Sequence, residues 1–393
     1  MDSRSNRPGG IENCASGYKL DVIDTPELIA AIGPRIRTSP FFDRTVEAGL
    51  TSVSAYNHMW LPMSYGDPDG EYDALTTGVT MWDVAAQRHI EVAGPGADEA
   101  VQLLTVIDTA PIPIGRAVYA PMVDHDGRVI NDPVLFHLDE GGWRFSISDS
   151  DVRAWMSAIV AQHGLDCRVG ELDTATLAIQ GPESPTVIES LGLSGVAELE
   201  QFELISATVD GDIELLVSRS GWSEQGGIEM LLDDSTQAGR LWAYVAEMGE
   251  ASGIRPAAPN PAERIENFLL SYGTDTGYDA DPFELGLGDL VDFDVDAFVG
   301  RDALLELRDQ VPARKLLGVR LDGSPMEPLS RPAPAAVAGE LVGRLRAAAW
   351  SPRFEVNLGL AMLHDGVDSE DTVDVDVNGD VTSGTLVDLP FDE

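Results

Sequence analysis

Apolar residues recur along this chain in short blocks, and the period within each block predicts the element. From residue 40 to about 140, short strands alternate with turns. Residues 88–93 (RHIEVA) alternate as a strand does, and the following GPGADEAVQLL opens a helix at Gly96-Ala97. Residues 118–123 and 128–137 predict a hairpin around the turn DHDG at 124–127. A strand over 143–148 precedes a helix over 151–163, and a strand over 173–179 ends at Gln180-Gly181-Pro182 before a helix over 183–191. Strands at 213–219 and 227–232 flank a glycine-rich turn, and a helix covers 235–249. RPAAPNP at 255–261 marks a break, followed by a helix over 262–270. Residues 316–393 change character. Short apolar segments (LLGVRL, GELVGRLRAAAW, LGLAML, TVDVDV, VTSGTLVDLPF) are separated by Gly, Pro and Ser, the signature of a small antiparallel barrel. The Pro/Ala stretch 331–337 reads as a surface loop of that barrel. The predicted organisation is an extension at 1–40, an α+β region at 41–310 and the barrel at 311–393.

Composition narrows the classes. With 393 residues and 44% hydrophobic residues the chain can fill real cores, and its length accommodates two or three domains. It carries 67 acidic and 25 basic residues, a net charge of −42, which disfavours nucleic acid and anionic lipid as partners. Lys19 and Lys315 are its only lysines. That pattern points to a high-salt cytoplasm, where ions screen self-repulsion. No secretory h-region or membrane-length apolar run is visible, so a cytoplasmic location is expected. Cys14 and Cys167 form no CxxC, and the six histidines are scattered, so no metal centre is expected.

Candidate chemistry sits at turns. There is no dinucleotide fingerprint, no P-loop and no nucleophile elbow. Asn131-Asp132-Pro133 interrupts an apolar strand. Asp132 is thus either an edge or bulge feature, or a carboxylate aimed into a cleft. The loop SGWSEQGG at 220–227 reads equally as a hairpin loop and as a site offering Trp222 for stacking and Gln225 as an amide. The aromatic-dense stretch 56–65 (YNHMWLPMSY) suits either a core segment or a pocket wall.

Seven segments in order resemble the aminomethyltransferase family, which includes the T-protein of glycine cleavage. They are Trp82-Asp83-Val84 after Gly78, GRVIND at 127–132, Ile179-Gln180-Gly181-Pro182, GWSEQGGIE at 221–229, Arg264-Ile265-Glu266, FVGRDAL at 298–304, and Thr382-Ser383-Gly384. YNHM at 56–59, WDVAA at 82–86, ISDSD at 147–151, the loop at 220–227 and Leu389-Pro390-Phe391 lean toward its dimethylsulfoniopropionate demethylase branch. The chain departs from the T-protein pattern at Ala85-Ala86, Asn131, Gln225 and Asn260, where that pattern has Ser-His, Asp, Glu and Arg.

The resemblance implies a three-domain, ring-like α+β fold with tetrahydrofolate threaded through it, the first domain discontinuous and the third the barrel. It implies a catalytic Asp132. It sets Tyr119, Asn131, Ile147, Ser148, Gln180, Trp222 and Gln225 against the folate, and Trp60, Tyr65 and Trp222 around a small zwitterionic methyl donor. The expected activity moves that methyl group to N5 of tetrahydrofolate, by a monomer or homodimer. The alternatives are aminomethyl transfer in glycine cleavage and a dimethylglycine or sarcosine-type demethylating unit. A folate-binding helper of iron–sulfur assembly is disfavoured, because neither cysteine stands in that group's Lys-Gly-Cys-Tyr context.

Overall fold

The computed structural model describes residues 33–193 and 195–392, so most of the predicted extension lies outside the described residues. Its last stretch, from residue 33, is docked. Arg37 exchanges backbone hydrogen bonds with His58 and Trp60, and the Ser39 hydroxyl donates to Asp83.

A six-stranded sheet forms the first layer, in the order Leu204–Val209, Ile213–Ser218, Gly227–Leu232, Ala175–Gln180, Thr80–Asp83, Arg255–Pro256. Only the last pairing is parallel. Ala175–Gln180 is buried throughout and is an apolar run but for Thr176 and its terminal Gln180, as a strand covered on both faces must largely be. Helix Ala238–Gly249 covers one face. Ala238, Leu241, Trp242 and Val245 are buried at helical spacing against Leu177, Ile179 and Met230. Each such Leu or Val contributes about 1.5–3 kcal/mol by leaving water.

Between Thr80–Asp83 and Ala175–Gln180 the chain builds a second, five-stranded antiparallel sheet. Its order is Arg168–Glu171, His89–Ala93, Gly142–Ser146, Val134–Asp139, Arg116–Tyr119. Helices Ala97–Leu104 and Val152–His163 pack on it, the second ended by Gly164 in the left-handed region at φ +66°.

The hairpin predicted over 118–137 forms in two pieces. Arg116–Tyr119 pairs with Val134–Asp139, while Met122–Val123 pairs with Val129–Asn131 as a separate ribbon. The break falls at Pro121 on one arm and at Asp132-Pro133 on the other, where proline removes the ladder donor. This leaves Asp132 outside both strands.

The C-terminal barrel is closed and antiparallel: Arg314–Leu321, Val356–His364, Glu340–Ser351, Ala333–Val337, Thr372–Val377, Asp380–Val387 and back to the first. The predicted loop at 331–337 is therefore corrected, since Ala333–Val337 is a barrel strand. Ala333 and Ala335 point inward and Pro334 outward, and pairing with Thr372–Val377 begins only at Ala335, past the missing proline donor. Leu358 and Leu360 pack outward on Ile265, Leu285 and Leu304, whereas Ala361 and Leu363 fill the interior. The helix predicted over 262–270 is shorter, Pro261–Glu266, because Phe268 turns to φ +52°.

Candidate active site

Asp132 is 7% exposed and held from two sides. The Tyr119 hydroxyl donates to Oδ2 at 2.8 Å, and the Ser148 hydroxyl donates a short bond to Oδ1. Burial outweighs these donors and pushes the carboxyl from 3.8 up to about 6, with the charge of Asp275 adding to the push. Tyr119 shifts upward too, through burial and then through its carboxylate partner.

Asn131 faces the other way. Its amide donates to the Ser148 carbonyl at 3.0 Å and to the Ser150 hydroxyl at 2.8 Å, and its oxygen accepts from the Ser148 backbone at 3.0 Å. It thus fixes the segment that presents Ser148. Ile147 contributes packing in the core of the five-stranded sheet, and its carbonyl accepts from Asn57.

Asn57 and His58 form the tight turn of the hairpin Ser52–Tyr56/Met59–Ser64, with φ of +50° and +58° at its two central residues. Asp149 accepts from the Asn57 backbone at 2.7 Å and ties this turn to the Asp132 wall. The residue so delivered is Tyr56, whose hydroxyl is shifted upward by burial and then by the charge of Asp132. Trp60 pairs with Ala55 across the ladder, on the opposite face from Tyr56. Tyr65 lies instead near Asp83 and Glu71, its hydroxyl buried with no partner among the described residues.

A second wall comes from the glycine-rich loop. Both ends of the Gln180 amide are engaged by it: Nε2 donates to the Ser220 carbonyl at 3.1 Å, and Oε1 accepts from the Ser223 hydroxyl at 2.7 Å. Gln180 therefore shapes the loop rather than pointing past it. Helix Pro261–Glu266 supports the loop from behind. Asn260 caps that helix, accepting from the Ala262 and Glu263 amides. Glu263 is fully buried, and its Oε1 accepts from the Glu224 backbone at 3.0 Å, Gln225 Nε2 at 2.9 Å and Asn267 Nδ2 at 2.9 Å. Its Oε2 is buried with no partner among the described residues, and burial raises the proton affinity of the carboxyl.

The two walls meet through Arg264 and Asp275. The Arg264 guanidinium lies 5.9 Å from the Trp222 ring centre and donates to the buried Asp275 at 2.7 Å, and Asp275 is the residue whose charge reaches Asp132. Tyr119, Asn131, Ile147 and Ser148 thus gather at Asp132, Gln180, Trp222 and Gln225 gather at the loop, and Trp60 belongs to the hairpin while Tyr65 follows directly after it. Sequence reasoning missed Tyr56, Asp275 and Glu263. Alternation within 56–65 separates Tyr56 from Trp60 once the turn is placed at Asn57-His58. Glu263 carries no signal, reading only as an acidic first-turn residue.

A groove of about 1470 Å³ runs between the hairpin, residues 258–261 and the barrel edge at 326–334. Asn260 lines it, so it leads from the helix behind the glycine-rich loop to the surface.

Comparison with known proteins places this architecture. Residues 41–295 match the GCVT N-terminal domain family and residues 314–392 the glycine cleavage T-protein C-terminal barrel domain. The dimethylsulfoniopropionate demethylase of Ruegeria pomeroyi is 32% identical over 337 residues, 85% of this chain and 92% of that protein. The aminomethyltransferase of Symbiobacterium thermophilum is 29% identical over 373 residues, 91% of this chain and 97% of its own length. The crystal structure of the glycine cleavage system aminomethyltransferase T from Bartonella henselae superposes with a TM-score of 0.81 at 22% identity, covering 91% of this chain and 98% of that one, which shows the shared fold. The chain belongs to the glycine cleavage T-protein family of tetrahydrofolate-dependent enzymes.

Proposed function

We propose that this enzyme demethylates a small zwitterionic donor of the dimethylsulfoniopropionate type, passing the methyl group to tetrahydrofolate. The observation that carries the reading is Asp132, a buried carboxylate clasped by Tyr119 and Ser148 with Tyr56 beside it. Such a place suits a cation flanked by aromatic faces, an attraction of about 0.5–2 kcal/mol for each well-placed ring.

The residues also fit the folate. A pterin ring offers a flat face and an edge of N–H donors, and this site offers the Trp222 face and acceptor oxygens on Asp132 and Gln225. Asn57 Oδ1, buried with no partner among the described residues, adds an acceptor at the Asp132 wall. Bound tetrahydrofolate supplies the amine nitrogen that receives the methyl group. Trp222 and Gln225 hold the ring, and Tyr119 and Ser148 fix the rotamer of Asp132. Asp132 offsets the donor's positive charge, and its raised proton affinity suits its carboxylate to hold the proton that transfer releases. A sulfonium leaves as a neutral thioether, so no general acid is required. The protein's work is alignment and exclusion of water, for which proximity supplies several kcal/mol.

The second reading, aminomethyl transfer, is favoured by the match to the Symbiobacterium aminomethyltransferase over nearly the full chain. Ala85, Ala86 and Asn131 favour the first. A panel of methyl donors with tetrahydrofolate at molar salt separates them. The proposal expects 5-methyltetrahydrofolate from a sulfonium or methylated-amine donor, whereas 5,10-methylenetetrahydrofolate as the product overturns it.

A further inference from the structure

Gln225 is the half-buried outer end of a buried arrangement. Its Nε2 donates inward to Glu263 at 2.9 Å, while no residue among those described hydrogen-bonds its Oε1. An amide has two nearly isosteric orientations, and what fixes one of them is the partner at the inner end. A carboxylate only accepts, so it takes the NH2 end and turns the carbonyl outward. Glu263 is itself immobilised, since Glu224 N and Asn267 Nδ2 share the same oxygen. The other oxygen is buried with no partner among the described residues, a polar atom kept in the fold at a stability penalty.

We propose that Glu263 is a positioning residue that sets the hydrogen-bonding polarity of the glycine-rich loop. It aims the Gln225 carbonyl oxygen into the site, so that the loop selects ligands presenting an N–H donor edge, as the aminopyrimidinone edge of a pterin does. The inference rests on the folate reading above and adds the residue that enforces it. An apolar residue at 263 leaves the Gln225 amide without the acceptor that orients it.

The test is a cycle of variants. Tetrahydrofolate binding is measured by calorimetry at molar salt for the wild type, Glu263→Met, Gln225→Ala and the double variant, with melting curves to verify folding. Each single change should weaken binding about tenfold or more, the first by removing the acceptor that holds the amide and the second by removing the amide itself. The double variant should bind within about threefold of Gln225→Ala, a non-additivity expected when Glu263 acts through Gln225. Unchanged affinity in Glu263→Met, or a double variant that loses the full sum of the two effects, overturns the inference. A wild type that binds no tetrahydrofolate overturns the folate reading itself. A companion measurement needs no variant. The wild type should bind 6-methyltetrahydropterin about tenfold more tightly than its N3-methylated derivative, whose donor edge is blocked. Equal binding of the two also overturns the inference.

Discussion

Asp132 combines a buried carboxylate with two hydroxyl donors, and its titration follows from that mixture. In the fold its carboxyl titrates near 6 instead of 3.8. A raised carboxyl favours the folded state while protonated, and that advantage is lost as pH rises through the interval between the two values. Asp132→Asn removes the penalty, because the Ser148 and Tyr119 hydroxyls can rotate to suit an amide. The variant should melt above the wild type at pH 8, and the difference should shrink strongly by pH 4, where the folded carboxyl is protonated and the unfolded one is about half so. A melting gain at pH 4 equal to that at pH 8 would contradict the assignment. Turnover should move the other way, falling by about 10²–10³ as one electrostatic contact in a closed site is lost. Asn131→Ala should act mainly through stability, since its amide bonds go to Ser148 and Ser150 rather than into the cleft. Full stability with abolished turnover in that variant would reverse the two roles. Asp132 stood out in the sequence because aspartate before proline breaks an apolar strand, but that break alone left it open between an edge feature and a cleft carboxylate. Tyr56 did not stand out, because which of two aromatics four residues apart faces the site depends on strand register, fixed here by a turn of two left-handed residues.

At the scale of elements, the loop between Ile213–Ser218 and Gly227–Leu232 depends on close packing against Ala175–Gln180. A Cβ on Gly227 would lie 2.0 Å from the Ile179 carbonyl, at φ +135°, whereas one on Gly221 would meet the Gln180 side-chain amide at 2.1 Å. A carbonyl in a central strand cannot retreat, but the end of a side chain can. Gly227→Ala should therefore destabilise the protein by several kcal/mol, beyond the ordinary overpacking range of about 1–3 kcal/mol. Gly221→Ala should leave melting nearer the wild type while weakening tetrahydrofolate binding, because the displaced Gln180 releases Ser220 and Ser223. Equal melting temperatures for the two variants would count against this ranking. The elements themselves were largely legible, since period 2 and period 3.6 are written directly in the apolar spacing. The strand at Ala333–Val337 was hidden by its prolines. Proline is tolerated there because the neighbouring ladder starts one residue later, a fact of register that a single sequence does not carry.

For the whole molecule the governing number is the net charge of −42. Arginine pairs such as Arg144–Asp233 and Arg314–Glu284 neutralise some carboxylates, but the acidic excess remains. Lowering salt from molar to about 0.1 M lengthens the screening distance from about 3 to 10 Å and lets that excess repel itself. The melting temperature should fall over this range, and one that stays constant would reject adaptation to high salt. An antiparallel barrel at the C-terminal end was foreseeable from the spacing of its short apolar segments. The order of strands in the six-stranded sheet was not, because its pairings join residues far apart in the chain. Thr80–Asp83 sits between Ala175–Gln180 and Arg255–Pro256, and everything in the five-stranded sheet is made in between. On the ribosome, Met81 and Trp82 therefore leave the exit tunnel with no partner strand. They stay uncovered while the entire insert is synthesised and can fold, and their second neighbour emerges only when translation has passed Pro256.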